Sequence, residues 1–169
     1  VALPAPYLGM SGNGNVKISA QNVSAKESGA YTSQISVSMI ADNNVSYCII
    51  GHSEAREYLN ESNEDIKAKY DLLIENKVKP IVCIGESLET RESNETFDFI
   101  SKQLEHFKNI EDGITFAYEP IWAIGTGLVP NADDIEQVVK HIRSHFSQTV
   151  KVLYGGSVKG ENASNLLNN

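Results

Sequence analysis

Five short apolar or β-branched runs recur along the chain: VKISAQ from Val16, YCIIG from Tyr47, KPIVCIG from Lys79, ITFAY from Ile114 and KVLYGG from Lys151. They start roughly 30 to 37 residues apart, the length of a strand, a loop, a crossover helix and a return loop. Helical spacing fills the intervals. It is clearest in NEDIKAKYDLLIENK from Asn63, where Ile66, Tyr70, Leu73 and Ile74 are predicted to share one buried face. Ser62 stands before this helix as an N-cap, with Glu64 and Asp65 in the first turn. NETFDFISKQLEHF from Asn94 and ADDIEQVVKHIRSHF from Ala132 follow the same pattern. Strand and helix alternate throughout, which predicts an α/β fold with a parallel sheet and helices packed on it.

Such repetition suits an open doubly wound sheet or a (β/α)₈ barrel. The strand ends favour the barrel. Polar residues follow nearly every run: Gln21 and Asn22, His52 to Glu54, Glu86, Glu119, and Ser157 after Gly155 and Gly156. A barrel gathers its chemistry from several strand C-termini, whereas an open sheet uses mainly one crevice. Residues 1–169 read as a single domain.

Composition narrows the function. With 14 basic against 22 acidic residues and a formal net charge of -8, the chain lacks the Lys and Arg surplus that a nucleic-acid backbone demands. A small anionic ligand remains compatible, because helix N-termini and backbone N–H groups hold phosphate without net positive charge. The two cysteines, Cys48 and Cys83, sit inside apolar runs, as free core thiols do, which fits a reducing, cytoplasmic setting. No apolar run approaches the ~20 residues of a membrane span, and no charged-then-apolar leader opens the sequence.

Three motifs carry chemistry. In GHSEARE from Gly51 a strand ends in glycine and histidine, and Ser53 and Glu54 open a short helix. A helix N-terminus disfavours imidazolium, so His52 is placed to donate a hydrogen bond from a neutral ring; capping the turn is the purely structural alternative. Glu54 and Arg56 also have the spacing of an ordinary surface ion pair. In AYEPIWAIGTG from Ala117, Glu119 ends an apolar strand, where a carboxylate must lie in a cleft or bear a burial penalty, and where a general base is useful. The residues behind it, Pro120, Ile121, Trp122, Ala123, Ile124, Gly125, Thr126 and Gly127, are too apolar for an exposed loop and too glycine-rich for a helix. They suit a lid that is buried when closed, or else a packed turn around a tryptophan. In YGGSV from Tyr154 paired glycines allow backbone N–H groups to approach an anion, although strand-to-helix turns use the same residues for conformational reasons.

In this order and spacing, AQN with GAYT, GHSE with Arg56, CIGE, AYEPIWAIGTG and YGGS resemble the triosephosphate isomerase family across almost the whole chain. The resemblance implies a TIM barrel that interconverts dihydroxyacetone phosphate and glyceraldehyde 3-phosphate in glycolysis and gluconeogenesis. It implies no metal and no cofactor, a homodimer, and no membrane or nucleic-acid partner. Carried onto this sequence, it makes Glu119 the base that shuttles a proton through an enediolate and His52 the neutral ring that polarises the carbonyl. It makes residues 120–130 the lid, with Gly125 and Ser157 offering N–H groups to the phosphate and Glu54 and Tyr154 in support. Residues 22–32 correspond to a loop that enters the neighbouring subunit, with Thr32 at the contact.

Several positions depart from the family pattern. Only about strands 2 to 7 of eight are represented. The Asn-x-Lys of the first strand and the phosphate loop after the eighth are absent, from which the isolated chain is expected to be poorly active or inactive. Ala55 stands where a second arginine is common and Gln34 where a glutamate is common. Pro130, without an N–H, occupies the end of the lid where that N–H often meets the tyrosine hydroxyl. The alternative functions are another phosphate-binding βα-barrel sugar isomerase and a non-catalytic scaffold; GHSE with EPIWAIGTG argues against the first.

Overall fold

The longest apolar run, KPIVCI, forms strand β4 (Lys79–Ile84), with Pro80, Val82, Cys83 and Ile84 all buried. Burial on both faces is what a parallel strand covered by helices requires. A computed structural model describes the chain except for residues 11–14, 111–112, 125, 127, 129, 147–149, 157, 159, 161–162 and 165–169. It forms two compact units, Val1–Val82 and Cys83–Asn169, and β4 runs across their boundary.

In the first unit β1 (Ala2–Leu3), β2 (Ser19–Ala20), β3 (Tyr47–Ile50) and β4 pair in parallel, in chain order. Helices α1 (Val37–Asp42), α2 (Ser53–Tyr58) and α3 (Asn63–Glu75) connect them. In the second unit β5 (Thr115–Tyr118) pairs in parallel with β6 (Lys151–Tyr154). Helices α4 (Leu88–Glu92), α5 (Thr96–Leu104) and α6 (Ala132–Ser144) belong to this unit. Within each unit the strands are parallel and follow chain order, the α/β arrangement of a partial TIM barrel that the repeat predicts.

Helix α3 starts where expected. Ser62 Oγ accepts from Asp65 N–H while the Asp65 carboxylate accepts from Ser62 N–H, a reciprocal capping box. Its buried face differs from the expected one: Ile66, Tyr70 and Leu73 are buried, but Ile74 is 50% exposed and Lys69 is only 3% exposed. At ~100° per residue, Lys69 lies about 60° to one side of Ile66 and Ile74 about 80° to the other. The face turns toward Lys69 because its ammonium has charged and polar partners inside, the Glu61 carboxylate and Asn22 Oδ1 at 2.9 Å. Strand β6 also departs from a run buried on both faces, since Leu153 is 41% exposed.

The capping box makes Asp65 more acidic than usual, chiefly through the hydrogen bonds from the Ser62 backbone and side chain. A lowered folded pKa means that the box contributes fully above the ordinary carboxylate range and is lost as pH falls through the lowered value. Replacing Ser62 by alanine is expected to cost about 1 kcal/mol in urea melts at pH 7. The difference from wild type should shrink as the melts are repeated at progressively more acidic pH. Burial also pushes the Cys48 thiol up to about 12. Cys48 should therefore resist an aromatic disulfide reagent at pH 8 in native protein and react on unfolding.

Candidate active site

In the first unit Gly51, at φ 71°, turns the chain out of β3 in a conformation that L side chains rarely adopt, and His52 follows as the N-cap of α2. His52 Nδ1 accepts from Glu54 N–H at 3.3 Å. A neutral ring whose Nδ1 accepts carries its proton on Nε2, so capping the helix and presenting a donor are the same geometry. Arg56 Nε donates to Gly51 O at 2.8 Å and Nη1 donates to Asn63 Oδ1 at 2.7 Å, pinning the strand end to the start of α3. His52 and Glu54 line a cavity of about 400 Å³ with Gln21, Asn22, Tyr58 and Leu59.

Asn22, read from the sequence as strand-end chemistry, is tied into the buried Lys69 network. Its Nδ2 donates to Glu61 Oε1 at 2.7 Å and its Oδ1 receives the Lys69 ammonium. Gln34 is held by Ser24, whose hydroxyl donates to Gln34 Oε1 at 2.6 Å. Thr32 is exposed.

In the second unit Glu119 directly follows β5 and is 4% exposed. Its N–H donates to Ile84 O at 2.8 Å, at the end of β4. Two glycines make room for it. A Cβ on Gly85 would lie 1.7 Å from Glu119 O, and one on Gly155 would lie 2.9 Å from Glu119 Cγ. Gly85 is itself clamped by the buried Gln103 of α5, whose Oε1 accepts from Gly85 N–H at 3.0 Å and whose Nε2 donates to Gly85 O at 3.4 Å. Tyr154 folds over the next glycine, with its hydroxyl where a Gly156 Cβ would meet it at 2.2 Å, and burial raises its pKa.

Beyond Glu119 lies a polar cluster of which the sequence marked Glu86 and Trp122. This carboxylate is 0% exposed, and its Oε1 accepts from Trp122 Nε1–H at 2.9 Å, Tyr118 Oη–H at 3.1 Å and Arg91 Nη1–H at 3.4 Å. Arg91 also reaches Asp134 at 2.9 Å and lies 4.5 Å above the Trp122 ring. Burial, followed by the Glu86 charge and hydrogen bond, pushes the Tyr118 phenol well up. Arg91 and Gln103 carried no sequence signal beyond helical spacing.

The segment expected to be non-helical contains one 3₁₀ turn, Ile121–Ala123, with Ala123 buried and Ile121 N–H donating to Glu86 O at 3.2 Å. Thr126 Oγ1 donates to Trp122 O at 2.9 Å and accepts from Leu128 N–H at 3.2 Å. Ile124 is partly exposed and Pro130 is buried. Gly125, Gly127 and Ser157 lie outside the described residues.

In each unit the chemistry follows strand C-termini, an imidazole after β3 in the first and a buried carboxylate after β5 and paired glycines after β6 in the second, which is the placement that defines a βα-barrel protein. The family model for triosephosphate isomerase matches residues 1–169. Similar proteins include the triosephosphate isomerases of Alkaliphilus oremlandii, 46% identical over 167 residues, and Mesomycoplasma hyorhinis, 44% identical over 172. That of Debaryomyces hansenii is 39% identical over 178 residues. These matches cover 91%, 99% and 96% of this chain and 67%, 71% and 72% of the relatives. The chain belongs to the triosephosphate isomerase family.

The two glycines behind Glu119 should respond differently to alanine. In Gly85→Ala the new methyl meets backbone, so one strand end must move. Urea unfolding is expected to show a loss of about 3 kcal/mol or more. In Gly155→Ala the nearest atom is a flexible side chain, and the loss should be about 1 kcal/mol or less.

Proposed function

We propose that the full-length protein carries out the triosephosphate isomerase reaction, with Glu119 of this chain as the base and His52 as the electrophile. The observation that carries the reading is the placement of Glu119, a nearly buried carboxylate at a strand C-terminus whose side chain packs against a glycine. A base in such a place is held in one position and screened from water, which is what abstraction of a weakly acidic proton beside a carbonyl demands.

The steps follow from the groups. The Glu119 carboxylate takes a proton from the carbon next to the carbonyl, and the electron pair moves onto the carbonyl oxygen as an enediolate forms. His52, bonded through Nδ1 to Glu54 N–H, offers Nε2–H to that oxygen without an extra positive charge. The same carboxylate then returns the proton to the former carbonyl carbon, while His52 relays the hydroxyl proton from one oxygen to the other, so that the old hydroxyl becomes the carbonyl and the old carbonyl the hydroxyl. The net change is an internal proton transfer, which requires no cofactor or metal.

Gly125 and Ser157 contribute N–H groups to the substrate phosphate in this reading. Residues 120–130, with Pro120, Ile121, Trp122, Ala123, Ile124, Thr126 and Gly127 at their core, exclude water from an intermediate that can otherwise eliminate phosphate. The bonds of Trp122 to Glu86 and of Thr126 to Trp122 O support a segment with defined resting contacts. Glu54 positions His52, and Tyr154 borders the phosphate loop. Residues 1–169 belong to one barrel domain, Thr32 meets a second copy in a homodimer, and the enzyme works in the cytoplasm. Among the described residues no helix is long and apolar enough to cross a membrane.

In the full-length protein Glu119→Gln is expected to lower kcat with glyceraldehyde 3-phosphate by about 10³-fold while preserving the thermal melt. Gly155→Ala, which pushes on the Glu119 side chain, should cost about 10²-fold in kcat with little change in KM. Activity of Glu119→Gln within tenfold of wild type would overturn the assignment.

A further inference from the structure

The facing sides of α5 and α6 hold a cluster that the isomerase chemistry does not use. His141 and His145 stand one turn apart on α6 and at its C-cap, so both rings project from one face. Their Nε2 atoms lie 3.3 Å from each other. Ser101 Oγ, on α5, lies 2.9 Å from His141 Nε2 and 3.1 Å from His145 Nε2. The carbonyl oxygen of Phe97, one turn earlier on α5, is 3.1 Å from His141 Nε2.

Hydrogen bonding alone serves this arrangement poorly. A ring nitrogen has either one proton or one lone pair, directed one way, yet His141 Nε2 faces three polar atoms. Ser101 has a single proton for two nitrogens. A shared cation resolves the crowding, because every one of these atoms can then turn a lone pair toward it. The dimensions agree: two nitrogens each ~2.0–2.1 Å from a tetrahedral zinc ion lie about 3.3 Å apart. Paired histidines at i and i+4 on a helix are a metal-ligand spacing for the same reason, and imidazole suits zinc, nickel and copper.

We propose that His141 and His145 bind a divalent transition-metal ion, zinc being the probe of choice, with Ser101 Oγ and Phe97 O as oxygen donors from α5. The ion joins the two helices. Both histidines and Ser101 are half-buried and Phe97 is partly exposed, so the ion has a path in from solvent. Among the described residues no group of three His, Cys, Asp or Glu side chains has metal-site geometry. Two imidazoles with a neutral hydroxyl and a carbonyl are weak donors as a set, so the affinity is below that of a closed four-ligand Cys and His site.

The test is calorimetric titration of the untagged full-length protein with zinc chloride near neutral pH, alongside His141→Gln, His145→Gln and the double variant. One saturable site is expected, weakened at least about tenfold in each single variant. In wild-type protein the ring resonances of His141 and His145 should shift on zinc addition while those of His52 and His106 stay. Equal zinc binding by wild type and the double variant would refute the site. So would unmoved His141 and His145 resonances at saturating zinc, a readout that holds even if the variants fold poorly.

Discussion

The second unit depends on a close approach of backbones between Gly85 and Glu119. Glu119 N–H donates to Ile84 O, and the Glu119 carbonyl occupies the space that a side chain at position 85 would take. A buried carboxylate at a strand end is held in one place only if its backbone cannot wander. Here it is fixed by a ladder bond on one side and by a glycine too small to push it away on the other. Gln103 completes the arrangement by satisfying both the N–H and the C=O of Gly85, just past the end of the strand. Helix α5 thus reaches the site through one amide.

The Glu86 cluster extends the same logic toward the 3₁₀ turn at Ile121–Ala123. Three donors from three elements meet one buried carboxylate oxygen, and the indole of Trp122 is the donor that the 3₁₀ turn supplies. The other oxygen, Oε2, has no hydrogen-bond partner among the described residues. A buried polar atom without a partner is costly, so the cluster holds the segment while leaving acceptor capacity unused. Arg91 bridges the cluster to α6 through Asp134, and its cation over the indole adds to the hold on Trp122.

Much of the fold was legible because strand and helix differ in period. The runs at Tyr47, Lys79, Ile114 and Lys151 each became a strand, and Ser62 capped the helix that it precedes. The buried face of α3 was misread at Ile74 because hydrophobicity alone centred it. What turned the helix was Lys69, a charged residue that is buried because the Glu61 carboxylate neutralises it and Asn22, distant in sequence, accepts a hydrogen bond from it. For the same reason Asn22 read as strand-end chemistry when its side chain is committed to that network.

The sequence by itself determined the alternation of parallel strands and helices, the family, and the strand-end positions of His52 and Glu119. These are matters of period, motif and order, which local chemistry writes directly into the chain. Tertiary structure decided that His52 accepts from Glu54 and so offers its other nitrogen as donor. It also decided that Gln103 clamps Gly85, that Arg91 and Trp122 share Glu86, and that Ser101 meets His141 and His145. Each of those contacts depends on distances of tenths of an ångström and on the direction of a single lone pair or proton. Such quantities exist only once the helices have packed.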